Sequence, residues 1–104
     1  MRGVLSLCVL SIVADGETYG YAVAQRLQAA GLGTVKGGTL YPVLARLELD
    51  GLLVSNWREG AGGPGRKFFA LTPAGGSALA ERSNEWATFA DRASALITTR
   101  KVIR

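Results

Sequence analysis

Gly37–Leu53 reads GGTLYPVLARLELDGLL. Leu40, Val43, Leu44 and Leu47 fall at i, i+3, i+4 and i+7, which is the spacing of one buried stripe on a helix. Gly51 stands where such a helix would end in a left-handed C′ residue. The charges are sparse: Arg46, Glu48 and Asp50. Entry to the helix is through Gly37, Gly38 and Thr39. One anchored face, a small-residue leading end and few long polar side chains suit a helix that enters a DNA major groove, about 12 Å wide. Helix N-termini present free N–H groups to anions, and glycines there let backbone approach phosphate closely. Pro42 is expected in the first turn, where its missing N–H costs little. Lys36, Thr39, Tyr41 and Arg46 are left to reach phosphates or base edges, with Pro42 beside them. An ordinary surface helix behind a glycine loop would share these local features, so the flanking sequence has to decide.

Upstream, Arg2–Ala14 is apolar on nearly every face, the pattern of a helix buried in a core. Asp15–Gly16 reads as a turn. Tyr19–Ala30 shows helical spacing, with Ala22, Val23, Leu27 and Ala30 on one side. Gly31–Gly38 reads as a glycine-rich connection. Downstream of Gly51 the period changes. Leu52–Glu59 and Arg66–Thr72 are rich in Val, Trp and Phe and flank GAGGPG (60–65), which predicts a β-hairpin with a long tip. Thr72–Pro73 is a helix start, with threonine as N-cap and proline at N1. The last helix is expected from there to about Thr99, roughly 40 Å at about 1.5 Å per residue. That is longer than a small helical core can cover. Leu79, Trp86 and Ala93 recur every seven residues, with Phe89 and Leu96 three residues after the second and third, a short heptad-like stripe. The expected fold is mainly α with a β-hairpin wing: a winged helix-turn-helix over 1–72, then a dimerisation helix and tail over 73–104. In such a fold the third helix enters the major groove.

Bulk properties narrow the alternatives. A chain of 104 residues with 48% hydrophobic content predicts one folded domain. The net charge of +4 and a pI near 9.7 permit an anionic partner without requiring one. The apolar run Gly3–Ala14 is about half the length of a membrane-spanning helix and lacks the flanks of a signal peptide. The single cysteine, Cys8, fits a reducing cytoplasm and sits among aliphatics as a small hydrophobe. With no histidine, imidazole- and thiolate-based metal sites are nearly excluded, and no cofactor is expected. The same absence, with no motif-supported nucleophile and no carboxylate pair, argues against an enzyme. GAGGPG formally satisfies a dinucleotide fingerprint, but a strand follows it where that fingerprint requires a helix. A flexible wing tip near Arg58, Arg66 and Lys67 fits better, lying along the DNA backbone.

GGTLYPVLARLELDGLL followed by GGPGRKFFALTPAG resembles the PadR family of bacterial transcriptional regulators, and YGYAVAQRL (19–27) is similar to the family's second-helix signature. The match runs over roughly residues 3–90 with its motifs in order, and the single long C-terminal helix resembles the smaller PadR subgroup. Two departures stand out: Gly65 where the family often has a second basic residue, and Phe68–Phe69 in place of the common Tyr-Tyr. The resemblance implies a homodimeric regulator, a repressor of a stress, detoxification or efflux gene, bound to a pseudo-palindromic double-stranded operator. It also implies phosphate contact by tyrosine hydroxyls at Tyr19 and Tyr21, although at least one of the two is expected to pack in the core instead, and a dimer interface on the last helix. In the family's multidrug-binding branch an aromatic at the place of Trp86 lines a pore between subunits and stacks planar ligands. Trp86 and Phe89, three apart, are the expected site for a planar aromatic effector, unless both simply fill the dimer core. Such a ligand would shift the spacing of the two recognition helices. A winged-helix module for protein–protein contacts, without a DNA target, is the alternative reading.

Overall fold

The computed structural model describes residues 3–59 and 65–102. The chain runs α1 (Val4–Ala14), β1 (Thr18–Tyr19), α2 (Gly20–Ala29), α3 (Gly37–Leu49), β2 (Leu53–Arg58), β3 (Arg66–Leu71) and α4 (Pro73–Val102). Most of the hairpin tip, residues 60–64, lies outside the described residues, so the wing-tip reading is carried by the strands alone.

Three helices close a core of aliphatic side chains. Val9, Leu10 and Val13 come from α1, Val23 and Leu27 from α2, and Leu40, Leu44 and Leu47 from α3; Leu52, Leu53 and Phe69 seal it from the wing side. The stripe in the decisive stretch is therefore the face that anchors α3, with Val43 partly buried at its margin. α1 differs from the expectation of burial along its whole length. Its second half is buried, but Val4, Leu5, Leu7 and Cys8 are only half-covered and Ser11 is exposed. A single small core has too little surface to enclose every face of an eleven-residue helix.

α3 ends as its glycine requires. Gly51 has φ +79°, its N–H bonds to the Glu48 carbonyl at 3.0 Å, and the Leu52 N–H bonds back to the Leu47 carbonyl at 2.9 Å. This is the paired closure of a left-handed helix end. The helix starts earlier than its apolar spacing suggests. Lys36 is the N-cap, so Gly37 and Gly38 are its first two residues and not the end of a connection. Pro42 consequently lies in the second turn, not the first as expected. Its missing N–H leaves the exposed Gly38 carbonyl without an intrahelical partner.

The wing has three strands where the sequence predicts two. β2 and β3 pair antiparallel from Leu53↔Leu71 to Arg58↔Arg66. β1 adds to the other edge of β3, antiparallel, pairing Thr18↔Phe69 and Tyr19↔Phe68 and giving the order β1-β3-β2. Tyr19 thus belongs to a strand and caps α2, which begins at Gly20 rather than Tyr19. Two residues are too few to show the alternation by which strands are recognised.

α4 begins as read. The Thr72 hydroxyl accepts the Gly75 N–H at 2.9 Å and donates to the Gly51 carbonyl at 2.7 Å. Ala78 and Leu79 pack against the core, and the helix then runs past it. Its thirty residues give the molecule a long axis of 62 Å against 28 and 21 Å, and a radius of gyration of 16.5 Å. A compact chain of this length would have a radius near 13 Å.

Candidate nucleic-acid interface

The surface of α3 that faces away from the core is made of Gly38, Thr39, Tyr41, Pro42, Ala45, Arg46 and Leu49, all exposed. Thr39, Pro42 and Arg46 lie at i, i+3 and i+7 on one line down this face. Small side chains and a proline keep the helix slim, and no side chain caps its N-terminus. The leading turn thus offers backbone N–H groups and the positive end of the helix dipole to an anion, with Lys36 at the cap. Arg46 is three-quarters of the way along the helix, 73% exposed, and its Nε lies 3.3 Å from the Asp50 carboxylate one turn on. An exposed i,i+4 pair of this kind is weak, so the guanidinium can exchange Asp50 for a stronger partner at little cost.

Tyr41 is held by its neighbours. A Cβ on Gly20 would stand 2.6 Å from the Tyr41 ring, and one on Gly37 would stand 3.3 Å from it. The ring therefore lies across the start of α2, and the bare Gly20 backbone is what lets the two helices meet there.

A cleft of about 460 Å³ separates this end of α3 from the wing. Tyr19, Tyr21, Tyr41, Trp57, Arg66 and Lys67 line it. Five residues expected from the sequence, Tyr19, Tyr21, Tyr41, Arg66 and Lys67, thus meet at one cleft, whereas Thr39, Pro42 and Arg46 line the neighbouring outer face of α3. Around the cleft, cations lie over rings. The Arg66 guanidinium sits 4.5 Å above Tyr19, Tyr19 meets Phe68 edge-on at 5.3 Å, and Arg58 sits 4.7 Å above Phe68. Arg58 is also bonded to Glu17. This stacking uses ring faces and needs no hydroxyl on Phe68, while Phe69 is buried in the core.

Lys67 points differently from Arg66, as successive residues of a strand must. Its Nζ lies 3.3 Å from Glu48 Oε1, and Ser55 Oγ donates to Glu48 Oε2 at 2.5 Å. The Ser55 hydrogen bond, followed by Lys67, holds the Glu48 carboxyl below its ordinary value against the opposing effect of burial.

Two residues of the region were not picked out from the sequence. Trp57 is 71% exposed and lines the cleft, and Glu48 joins α3 to both wing strands. Counting by two from the buried Leu53 puts Ser55 and Trp57 on the face turned toward α3, so that signal was available. No pattern in the sequence reports the Glu48 contacts, which depend on the tertiary arrangement.

The aromatic pair on α4 is also brought together. Trp86 and Phe89 have ring centroids 6.0 Å apart, and with Val4 and Leu7 of α1, Arg82 and Glu85 they border a cavity of about 380 Å³. Both remain partly exposed, at 39% and 46%.

A winged helix-turn-helix with a groove-sized third helix and a basic, aromatic cleft beside its leading end defines a class of transcriptional regulators. Residues 9–81 match the transcriptional regulator PadR-like family, and the chain belongs to that family. Membership places it among regulators of transcription and outside the enzymes. A transcriptional regulator of Mycobacterium tuberculosis is 45% identical over 80 residues, covering 77% of this chain and 73% of that protein. The crystal structure of a PadR family transcriptional regulator from Eggerthella lenta is 36% identical, with a TM-score of 0.83 over 92% of this chain and 83% of that one. Bacillus subtilis PadR, solved in complex with operator DNA, shares the fold at 22% identity, with a TM-score of 0.69 over 75% of this chain and 44% of that one. Among the described residues no helix is long and apolar enough to cross a membrane.

Proposed function

We propose that the chain is a cytoplasmic, homodimeric repressor that binds a pseudo-palindromic operator in double-stranded DNA and controls a stress, detoxification or efflux gene. Residues 1–72 form the DNA-binding unit and 73–104 the dimerisation helix and tail. The observation that carries this reading is the slim, uncapped leading end of α3 set beside a cleft of stacked cations and aromatic rings. A fold shared with a protein solved on its operator supports it. Lys36, Thr39, Tyr41 and Pro42 stand at the leading half of α3, Arg46 reaches a base edge further along, and Tyr19 and Arg66 hold phosphate. A planar aromatic effector binds at Trp86 and Phe89 between subunits and releases the operator.

The test is a gel shift and footprint on the DNA upstream of the chain's own gene, repeated with Arg46→Ala and Arg66→Ala. Loss of a base contact at Arg46 costs about 1–3 kcal/mol and relaxes specificity. Loss of a phosphate contact at Arg66 weakens operator and random DNA alike and lowers the salt slope by about one unit. If the wild-type chain retains no upstream DNA, the protein–protein module becomes the better reading. Equal losses on operator and random DNA for both variants would remove base reading by Arg46.

A further inference from the structure

The two oxygens of Glu48 are divided between the two long strands of the wing. Oε2 accepts from Ser55 on β2, and Oε1 faces the Lys67 ammonium on β3, which also lies 5.5 Å from the Phe69 ring. Toward the base of the wing Leu53, Phe69 and Leu71 fasten it to the core; toward its tip Trp57 and Arg66 line the cleft. The β1 edge is tied by strand pairing and by the Arg58 contact with Glu17. On the α3 side, among the described residues, the Glu48 carboxylate supplies the side-chain hydrogen bond and the ion pair that join helix to wing.

We infer that Glu48 is a positioning residue: with Ser55 and Lys67 it fixes the angle between α3 and the wing, and Lys67 serves this latch rather than the DNA backbone. The functional consequence rests on the DNA-binding reading above. The sign of one substitution separates the two roles of Lys67. If Lys67 were a phosphate ligand, removing the Glu48 charge would free it and delete a negative charge near the DNA, so Glu48→Gln would bind operator more tightly. With a latch, Glu48→Gln loosens the wing. A loosened wing must be ordered again on the DNA, and ordering opposes binding.

The experiment measures operator affinity against salt for wild type, Glu48→Gln, Lys67→Gln and the double variant, with thermal unfolding of each to confirm the fold. Expected are affinities about fivefold weaker for each single variant, a double variant no worse than either, as for partners in one interaction, and an unchanged salt slope for Lys67→Gln. Tighter binding by Glu48→Gln, or a slope lowered by about one unit in Lys67→Gln, would overturn the inference. A second readout needs no DNA. In a Trp86→Phe background Trp57, register partner of Lys67, is the one tryptophan, and its fluorescence anisotropy should fall in Glu48→Gln and Lys67→Gln. Unchanged anisotropy in both would also overturn the latch. Failure of wild type to bind DNA at all would count against the regulator reading and leave the latch to be judged by anisotropy.

Discussion

Gly75 and Gly76 stand side by side in the first turn of α4 and meet different surroundings. A Cβ on Gly75 would fall 2.1 Å from the Leu52 carbonyl oxygen and 2.8 Å from a Leu71 methyl, whereas on Gly76 its nearest neighbour is a Leu71 methyl at 3.8 Å. Backbone cannot step aside as a side-chain tip can. Gly75→Ala should therefore destabilise the chain by about 1–3 kcal/mol or more, as overpacking does. Gly76→Ala should be neutral or stabilising by up to about 1 kcal/mol, because alanine loses less entropy in a helix. Chemical denaturation of both variants checks the contrast; equal losses would refute the close approach of α4 to Leu52. The paired glycines look equivalent in the sequence, and only the packing separates them.

At the scale of elements, the connection between α3 and the wing carries a pH signature. The Glu48 carboxyl is held below its ordinary 4.5, chiefly by the Ser55 hydrogen bond and then by Lys67. A group with a lowered folded value binds its proton more readily in the unfolded chain, so its contribution is full above 4.5 and is lost as the pH falls through the lowered value. Wild type should then be more stable than Glu48→Gln at pH 7, with the gap closing below about pH 4.5. A gap that stays constant from pH 7 to pH 3 would show that the carboxylate charge contributes nothing there.

The elements also show where sequence reading succeeds and fails. α3 was legible because its apolar spacing and its closing glycine are local properties. The Thr72–Pro73 start was legible for the same reason. β1 was not, because its two residues are strand only by virtue of β3 lying alongside. The depth of Pro42 was misjudged because glycines at a helix start look like loop. Within the candidate interface, Arg66 and Tyr19 lie far apart in sequence, and their stacking follows only from the pairing of β1 with β3. Arg66 and Lys67 look alike as sequence neighbours, and both line the cleft, but only the folded strand shows that Arg66 lies over Tyr19 while Lys67 pairs with Glu48.

On the scale of the whole molecule, the distal part of α4 poses a question of coverage. Leu79 is packed on the core, but Trp86, Phe89, Leu96 and Ile97 are exposed in the single chain, Leu96 at 75%. Repeated apolar residues on a helix that the described residues cover only in part suit pairing with a second copy. Because Leu96 is so open, Leu96→Glu should leave the fold of one chain intact and still convert dimer to monomer in sedimentation experiments. A dimer unaffected by that change would place the interface elsewhere. Trp86→Ala addresses the effector separately. With Trp57→Phe to simplify the signal, the parent should show quenching by a planar aromatic dye. Trp86→Ala should bind the dye at least about tenfold more weakly, a loss of about 1.4 kcal/mol, by the dye's own anisotropy. Unchanged affinity in an intact dimer would leave this tryptophan a packing role alone.

The Thr72 hydroxyl, which takes the Gly75 N–H and gives its proton to the Gly51 carbonyl, welds the foot of α4 to the closing turn of α3. Gly75 pressed on Leu52 removes the slack that a joint would need. α4 is thus a lever without a free hinge: a tilt of one degree displaces its far end by about 0.8 Å over roughly 45 Å of helix. The same tilt would strain the hydrogen bond at the turn that closes α3. A swing of the long helix would therefore be felt at the turn where α3 ends.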